Sequence, residues 1–204
     1  MAANQTQAEV GLSEAPMLAD HLALDMLNTQ ALSDGNRVDF WNSDEDVLAW
    51  LKRFTANPLS NAIATGLLVQ GRALRTLARQ LIIQRKEGSD IEIGELNEYL
   101  HNYTCFPQLK HDNEGRLLLT HTASGETTKA LLGPVAEAVA QLLVEGNFEL
   151  VKQCEHPDCI LWFYDRTKAH KRRWCSMALC GNRYKAAQFR KRSSGDAIPV
   201  SGGK

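Results

Sequence analysis

The chain has 204 residues, 44% hydrophobic and 23% charged, with a formal net charge of −1. That composition excludes a disordered chain, a collagen-like fibre and a disulfide-dense miniprotein, and it suffices for one sizeable core or two modest ones. The near-neutral total conceals a split: residues 152–192 hold 11 Lys and Arg against 3 Asp and Glu, net +8, while residues 1–151 hold 11 against 20, net −9. No apolar run approaches the roughly 18 residues of a spanning helix. The opening MAANQTQAEVGLSEAP has no basic residue and no apolar core, so no secretory signal is read, and a cytoplasmic protein without membrane contact is expected.

Residues 1–15 are polar and expected to be disordered. A first helix is predicted over 17–30, with Leu18, Leu22, Leu24 and Leu27 as its apolar residues. Asp25, Asn28 and Thr29 recur at i, i+3 and i+4, which puts three small polar side chains on one helix face. This patch is a candidate ligand site; an internal hydrogen-bond network is the alternative, because buried polar groups must be paired. Ser43 opens a second helix whose first turn, Asp44, Glu45 and Asp46, suits the helix dipole. Val47, Leu48, Trp50, Leu51 and Phe54 form its apolar side, and Asn57-Pro58 ends it.

Residues 60–86 read as a long amphipathic helix through Ile63, Leu67, Leu74, Leu77, Ala78 and Leu81. Arg72, Arg75 and Arg79 line a stripe outside that face, where one arginine turned inward would pair with Asp25 or bind an anionic ligand. A shorter helix is predicted from Ser89-Asp90 through 102. A β-hairpin follows over 104–121, turning at Asp112-Asn113-Glu114-Gly115. Gly133-Pro134 starts another helix, with proline in its favoured first position, and Gly146-Asn147 ends or kinks it. A final helix is predicted over about 179–192, and residues 193–204 form a flexible tail. No glycine- or proline-rich linker separates the acidic body from the basic module, so the two are expected to be packed or hinged.

Four of the five cysteines lie in the basic module: Cys154, Cys159, Cys175 and Cys180, spaced C-x4-C-x15-C-x4-C. Two cysteine pairs separated by a loop form the layout of a tetrahedral four-thiolate zinc site, and a closed shell of four thiolates leaves no position for a catalytic water. The spacing leaves open four buried reduced thiols, a redox dithiol, or His156 in place of one cysteine. Positions five apart on an α-helix lie about 140° apart, so Cys175 is expected in a turn and Cys180 at the start of the final helix. Zinc also accounts for the folding of so small a module, since about 40 residues bury too little surface alone. Trp162, Phe163, Tyr164 and Trp174 are available as a small apolar cluster beside it. Arg172 and Arg173 would offset the negative charge of the thiolates. Cys105, beside Phe106-Pro107, reads as a core or loop residue.

The stretch RRWCSMALCGNRYKAAQFRKR, residues 172–192, closely resembles the CGNR zinc finger, with Cys180-Gly181-Asn182-Arg183 preceded by Trp174-Cys175-Ser176-Met177. The upstream cysteine pair and Phe163-x-Asp165 fit the same resemblance. The N-terminal part resembles the ABATE domain through Leu24-Asp25-Met26-Leu27-Asn28-Thr29 and the Asp46-to-Leu51 stretch around Trp50. Leu74-Arg75 is similar to a Leu-Arg step of ABATE domains, which singles out Arg75 as the inward arginine and a ligand candidate beside Asp25, Asn28 and Thr29. The resemblance implies a stress-induced transcriptional regulator of bacteria, with the finger as DNA-binding element and the ABATE part as sensor.

The expected architecture is mainly α: a helical ABATE-like sensor domain over 16–151 with a small β-hairpin, then a small four-cysteine zinc finger over 152–192. The expected cofactor is structural Zn²⁺. Arg172, Arg173, Asn182, Arg183, Lys185, Arg190, Lys191 and Arg192 are the candidate nucleic-acid contacts. These cations are spread around the final helix, which favours phosphate positioning over base readout. Asn182 and Arg183 are residue types that make bidentate base contacts, but Asn182 is expected to bond within the zinc turn, and Tyr184 and Phe189 to pack the finger. The partners expected are DNA and a small-molecule or protein effector of the N-terminal domain, with a homodimer suggested by paired half-sites. A zinc-stabilised RNA- or protein-binding module is the competing function. An enzyme is not expected: the sequence shows no nucleophile–base pair by motif, no phosphate loop and no open metal site.

Overall fold

A computed structural model describes residues 14–33, 35–54, 65–124 and 127–195. Helix α1 is short, Leu22–Leu27, and Ala23 to Leu27 are all buried. The predicted start at 17 fails for a local reason. The Asp25 carboxylate accepts the backbone N–H groups of Leu18 and Ala19, both at 3.0 Å, and so folds the preceding segment back over the helix. Asp20 takes a left-handed φ of 58° at the bend, a conformation aspartate tolerates. The His21 ring then accepts the Ala23 N–H as N-cap.

Beyond α1 the chain forms an antiparallel hairpin, β1 (Gln30–Ser33) with β2 (Asn36–Asp39). The sequence reading assigned no element here, although Asp34-Gly35 is a strong hairpin-turn signal and Gly35 has the positive φ such turns require. Helix α2, Asp44–Lys52, starts as expected: Ser43 and Asp46 form a reciprocal capping box. The predicted stop at Asn57-Pro58 lies outside the described residues, as does the predicted start of the next helix at 60.

Helix α3 (Leu67–Glu87) buries Leu67, Leu74, Arg75, Ala78, Leu81 and Ile82, which recur at the helical period. Its first turn is held by a neighbour, because the Asp44 carboxylate accepts the N–H groups of Gly66 and Leu68. Helix α4 is Gly94–Asn102. The predicted hairpin is present as β3 (Thr104–His111) and β4 (Leu117–Ser124). A turn of helix, α5 (Thr128–Leu131), precedes α6 (Gly133–Glu145), which carries Pro134 in its first turn. Helices α1 and α4 pack on α6, α2 packs on α3, and α3 touches α1 and α6. Their shared core is built on Leu24, Met26, Leu27, Trp41, Trp50, Leu74, Leu132 and Val139.

The C-terminal part begins with β5 (Val151–Gln153) paired antiparallel to β6 (Trp162–Tyr164). It continues through a wide π-type turn at Met177–Gly181 into α7 (Asn182–Gly195). This part is not an appendage. Val151 and Trp162 belong to the core of the helical body, while Ala31 of β1 lies in the core formed by Cys154, Leu161, Phe163, Cys175 and Cys180. Leu18 and Phe40 also pack on that second core.

Candidate metal centre and basic helix

The four cysteines reach one point from two turns. Cys154 leaves β5 with its N–H still bonded to the Leu161 carbonyl, and a tight turn returns the chain so that the Cys159 N–H donates to the His156 carbonyl. The His156 ring is buried and accepts the Asp158 N–H, so this histidine shapes the turn; among the described residues the cluster that can hold a metal is made of the four cysteines. In the second turn, the N–H groups of Cys180 and Gly181 both donate to the Ser176 carbonyl, and the Ser176 hydroxyl accepts the Leu179 N–H. Cys175 lies in the bend before this turn, ahead of the extended N-cap Ser176, and Cys180 lies within the turn that leads into α7, as the spacing predicts. The two therefore do not have to face inward from one regular α-helix. Gly181 lets the Met177 side chain lie against the backbone of the turn: a Cβ there would lie 2.5 Å from the Met177 sulfur, so a larger residue would displace that side chain.

All four sulfurs lie within 4.8 Å of one another, with Cys159–Cys175 at 3.9 Å and Cys175–Cys180 at 3.5 Å. A tetrahedron of thiolates about 2.3 Å from zinc has edges of about 3.8 Å, so the donor set fits the ion. Hydrogen bonding from Cys159 and the other two thiols holds Cys154 far below the usual thiol range, whereas the neighbouring sulfurs, led by Cys154, push Cys175 and Cys180 up. Packed so closely, four sulfurs ionise together only around a cation, and Zn²⁺ supplies that charge along with four bonds that close the module.

Around the zinc turns, Asp165 is fully buried and accepts from Lys152 Nζ (2.7 Å), the Thr167 hydroxyl (2.6 Å) and the N–H groups of Thr167 and Arg172. Burial alone would raise this carboxyl, but the bonds from Lys152 and Thr167 outweigh it and hold it well below the usual range. Arg172, expected as a nucleic-acid contact, faces inward. Its guanidinium lies 4.3 Å over the Phe163 ring and bonds Asp20 Oδ2 (2.5 Å) and the carbonyls of Leu18, Trp174 and Cys175. Arg173 pairs with Glu155 at 2.6 Å and lies over Trp174. Tyr184 packs on Trp174 as expected, with ring centroids 4.7 Å apart.

Asn182, Arg183, Lys185, Arg190, Lys191 and Arg192 are all exposed on α7. Arg183 comes only within 3.9 Å of Asp158. The expectation that Phe189 packs the finger is corrected, since its side chain is 68% exposed. Asn182 makes no side-chain hydrogen bond within the described residues, in contrast to the bond expected inside the zinc turn.

The polar patch of the body resolves into separate contacts. Asn28 pairs with the Trp162 backbone of β6, donating at 2.9 Å and accepting at 2.8 Å. The Thr29 hydroxyl donates to the Met26 carbonyl and accepts from Arg75. Arg75 is indeed the inward arginine, but its carboxylate partner is Asp39, at 2.5 and 2.8 Å, and not Asp25. Burial opposes ionisation of Asp39, yet the Arg75 bonds hold its carboxyl below the usual range. Burial pushes the Asp25 carboxyl up to about 6, against the two backbone amides that bond it. Of the four ligand candidates, Asp25 lines a cavity. That cavity, about 560 Å³, is lined among others by Asp20, His21, Phe54, Glu137 and Arg166. Asp20, Asp39 and Asp165 are the contributors that motif reading left without a role: Asp20 and Asp39 meet arginines far away in sequence, and Asp165 gathers Lys152, Thr167 and Arg172 through the folding of the finger loop.

Fold and site together define a helical domain that carries a four-cysteine structural zinc finger packed on its face. A family model for the CGNR zinc finger matches residues 151–193, and one described as "Putative stress-induced transcription regulator", the ABATE family, matches residues 20–146. The chain belongs to the ABATE family and carries a C-terminal CGNR finger. No curated relative matches the chain. Among the described residues no helix is long and apolar enough to cross a membrane.

Proposed function

We propose that this protein is a DNA-binding transcription regulator whose finger contacts phosphates through α7 and whose body senses an effector. The observation that carries this reading is the projection of Arg183, Lys185, Arg190, Lys191 and Arg192 as exposed cations on one helix anchored at the zinc site. Cations held rigidly along a helix neutralise phosphates and release counterions. Arg172 leaves the proposed contact set, because its guanidinium is bound within the protein. Lys168 and Lys171, both exposed in the loop before it, extend the basic surface. The cavity at Asp25 is the proposed effector site. Through Asp20 it borders Arg172, and so reaches the zinc turn.

An RNA- or protein-binding module is the second reading, and exposed Phe189 is the observation in its favour. Titration of the zinc-loaded full-length protein with random-sequence DNA and RNA duplexes across salt separates the readings. Each phosphate contact contributes about −0.9 to the slope of log K against log salt. A slope worth several contacts on DNA, reduced by about one contact in Lys185→Ala and again in Arg192→Ala, is the expected result. Absence of salt-dependent DNA affinity overturns the proposal.

A further inference from the structure

Helix α7 has an order that composition alone conceals. Tyr184, Ala187 and Gln188 are the half-buried positions that face the finger. At about 100° per residue, the opposite side is centred on Asn182, Ala186 and Phe189, and all three are exposed. Arg183 and Arg190 stand seven residues apart on one flank of that column, and Lys185 and Arg192 seven apart on the other. The two cationic flanks are separated by about 160° across the exposed side, and each spans about 10 Å along the helix axis. A non-ionic column between two cationic rails is not the pattern of a uniformly solvated helix. An exposed phenylalanine in its middle is the one large apolar side chain there.

We infer that this face enters a DNA major groove and reads A·T pairs, with Asn182 bonding an adenine and Phe189, beside Ala186, contacting thymine methyl groups. The argument rests on the DNA-binding reading above and adds what is read. A helix with its side chains is about 10–12 Å across and the major groove about 12 Å wide. In that groove the two flanks face the phosphates of opposite strands. The central column then meets base edges. Asparagine matches the N6 donor and N7 acceptor of adenine, and an apolar side chain matches the C5-methyl of thymine. Zinc fixes the entry of α7, because Cys180 and Gly181 immediately precede Asn182.

The test uses the zinc-loaded full-length protein. Duplexes bound best from a random pool are sequenced, then remade with deoxyuridine for thymidine or 7-deazaadenine for adenine. The expected selected site is A·T-containing. Deoxyuridine should weaken binding by the wild type several-fold but leave Phe189→Ala unaffected. The 7-deaza base should weaken the wild type roughly ten-fold or more but leave Asn182→Ala unaffected. Zinc content and Tm of both variants should match the wild type, since both side chains are exposed. If salt-dependent binding occurs with no A·T preference, or the variants respond to the altered bases as the wild type does, the inference falls and the phosphate-binding reading stands. If no DNA binds, both fall. If Phe189→Ala changes the sedimentation of the free protein instead, Phe189 is a protein contact and the inference is overturned.

Discussion

Asn28, at the end of the first helix, and Trp162, in the strand between the two cysteine pairs, bond each other reciprocally although 134 residues separate them. The asparagine amide presents one donor and one acceptor to the strand backbone, as a neighbouring strand would. Body and finger are joined by this pair, by a second one between Asp20 and Arg172, and by the cores they share.

Asn28→Ala leaves a buried N–H and a buried C=O of Trp162 without partners. A loss of about 2 to 4 kcal/mol is expected from urea unfolding. Asn28→Asp should be no milder, because it loses the donor and buries a charge.

Each cysteine of the cluster should be needed for zinc. One equivalent of metal per chain is expected in the wild type, and less than a tenth of that in Cys175→Ser or Cys180→Ser, read by atomic absorption. Because Ala31, Leu18 and Phe40 roof the cysteine core, chelation should lower the stability of the helical body as well. Hydrogen exchange in β1 reports this.

Arg172 and Lys185 should behave oppositely. Arg172→Ala should cost about 2 to 3 kcal/mol, since it leaves buried carbonyls and the Phe163 face uncovered, while the DNA salt slope of the folded protein stays unchanged. Lys185→Ala should leave stability within about 0.5 kcal/mol and reduce the slope.

Arg75 and Asp39 should fail as a pair. Removing either partner leaves the other charge in or beside the core, and about 3 to 5 kcal/mol is expected for Arg75→Ala, whose side chain is 3% exposed. A double-mutant cycle with Asp39→Ala should show strong non-additivity. Arg75→Lys should rescue little, because only the guanidinium bonds both carboxylate oxygens and Thr29.

Asp25 gives the pH dependence its sign. Its carboxyl titrates near 6 in the folded chain against 3.8 ordinarily. The folded state therefore binds the extra proton between those values, and the stability this group contributes is present below about pH 4 and lost as pH rises through 6. Asp25→Asn keeps the acceptor for Leu18 and Ala19 and removes the titration. Its stability relative to wild type should improve by as much as about 3 kcal/mol from pH 4 to pH 7.5, and parallel urea curves at the two pH values decide it.

The sequence by itself determined whatever is local or periodic. The capping box at Ser43, the apolar stripe of α3, the turn of the β3–β4 hairpin and Pro134 at the start of α6 each depend on residues within a turn or two. The cysteine spacing and the charge split sufficed to locate the metal centre and the basic module. Only tertiary structure decided the partner of each buried polar group. Arg75 faces Asp39 and not Asp25, Arg172 is bound inside, and Asn28 completes a distant strand, because a buried donor takes whichever acceptor the packed chain brings near it. It also decided which side of α7 is free. The cations of that helix fall on three of its sides, and nothing local says which side meets the finger. The packing of Tyr184 on Trp174 leaves Asn182 and Phe189 facing solvent between them.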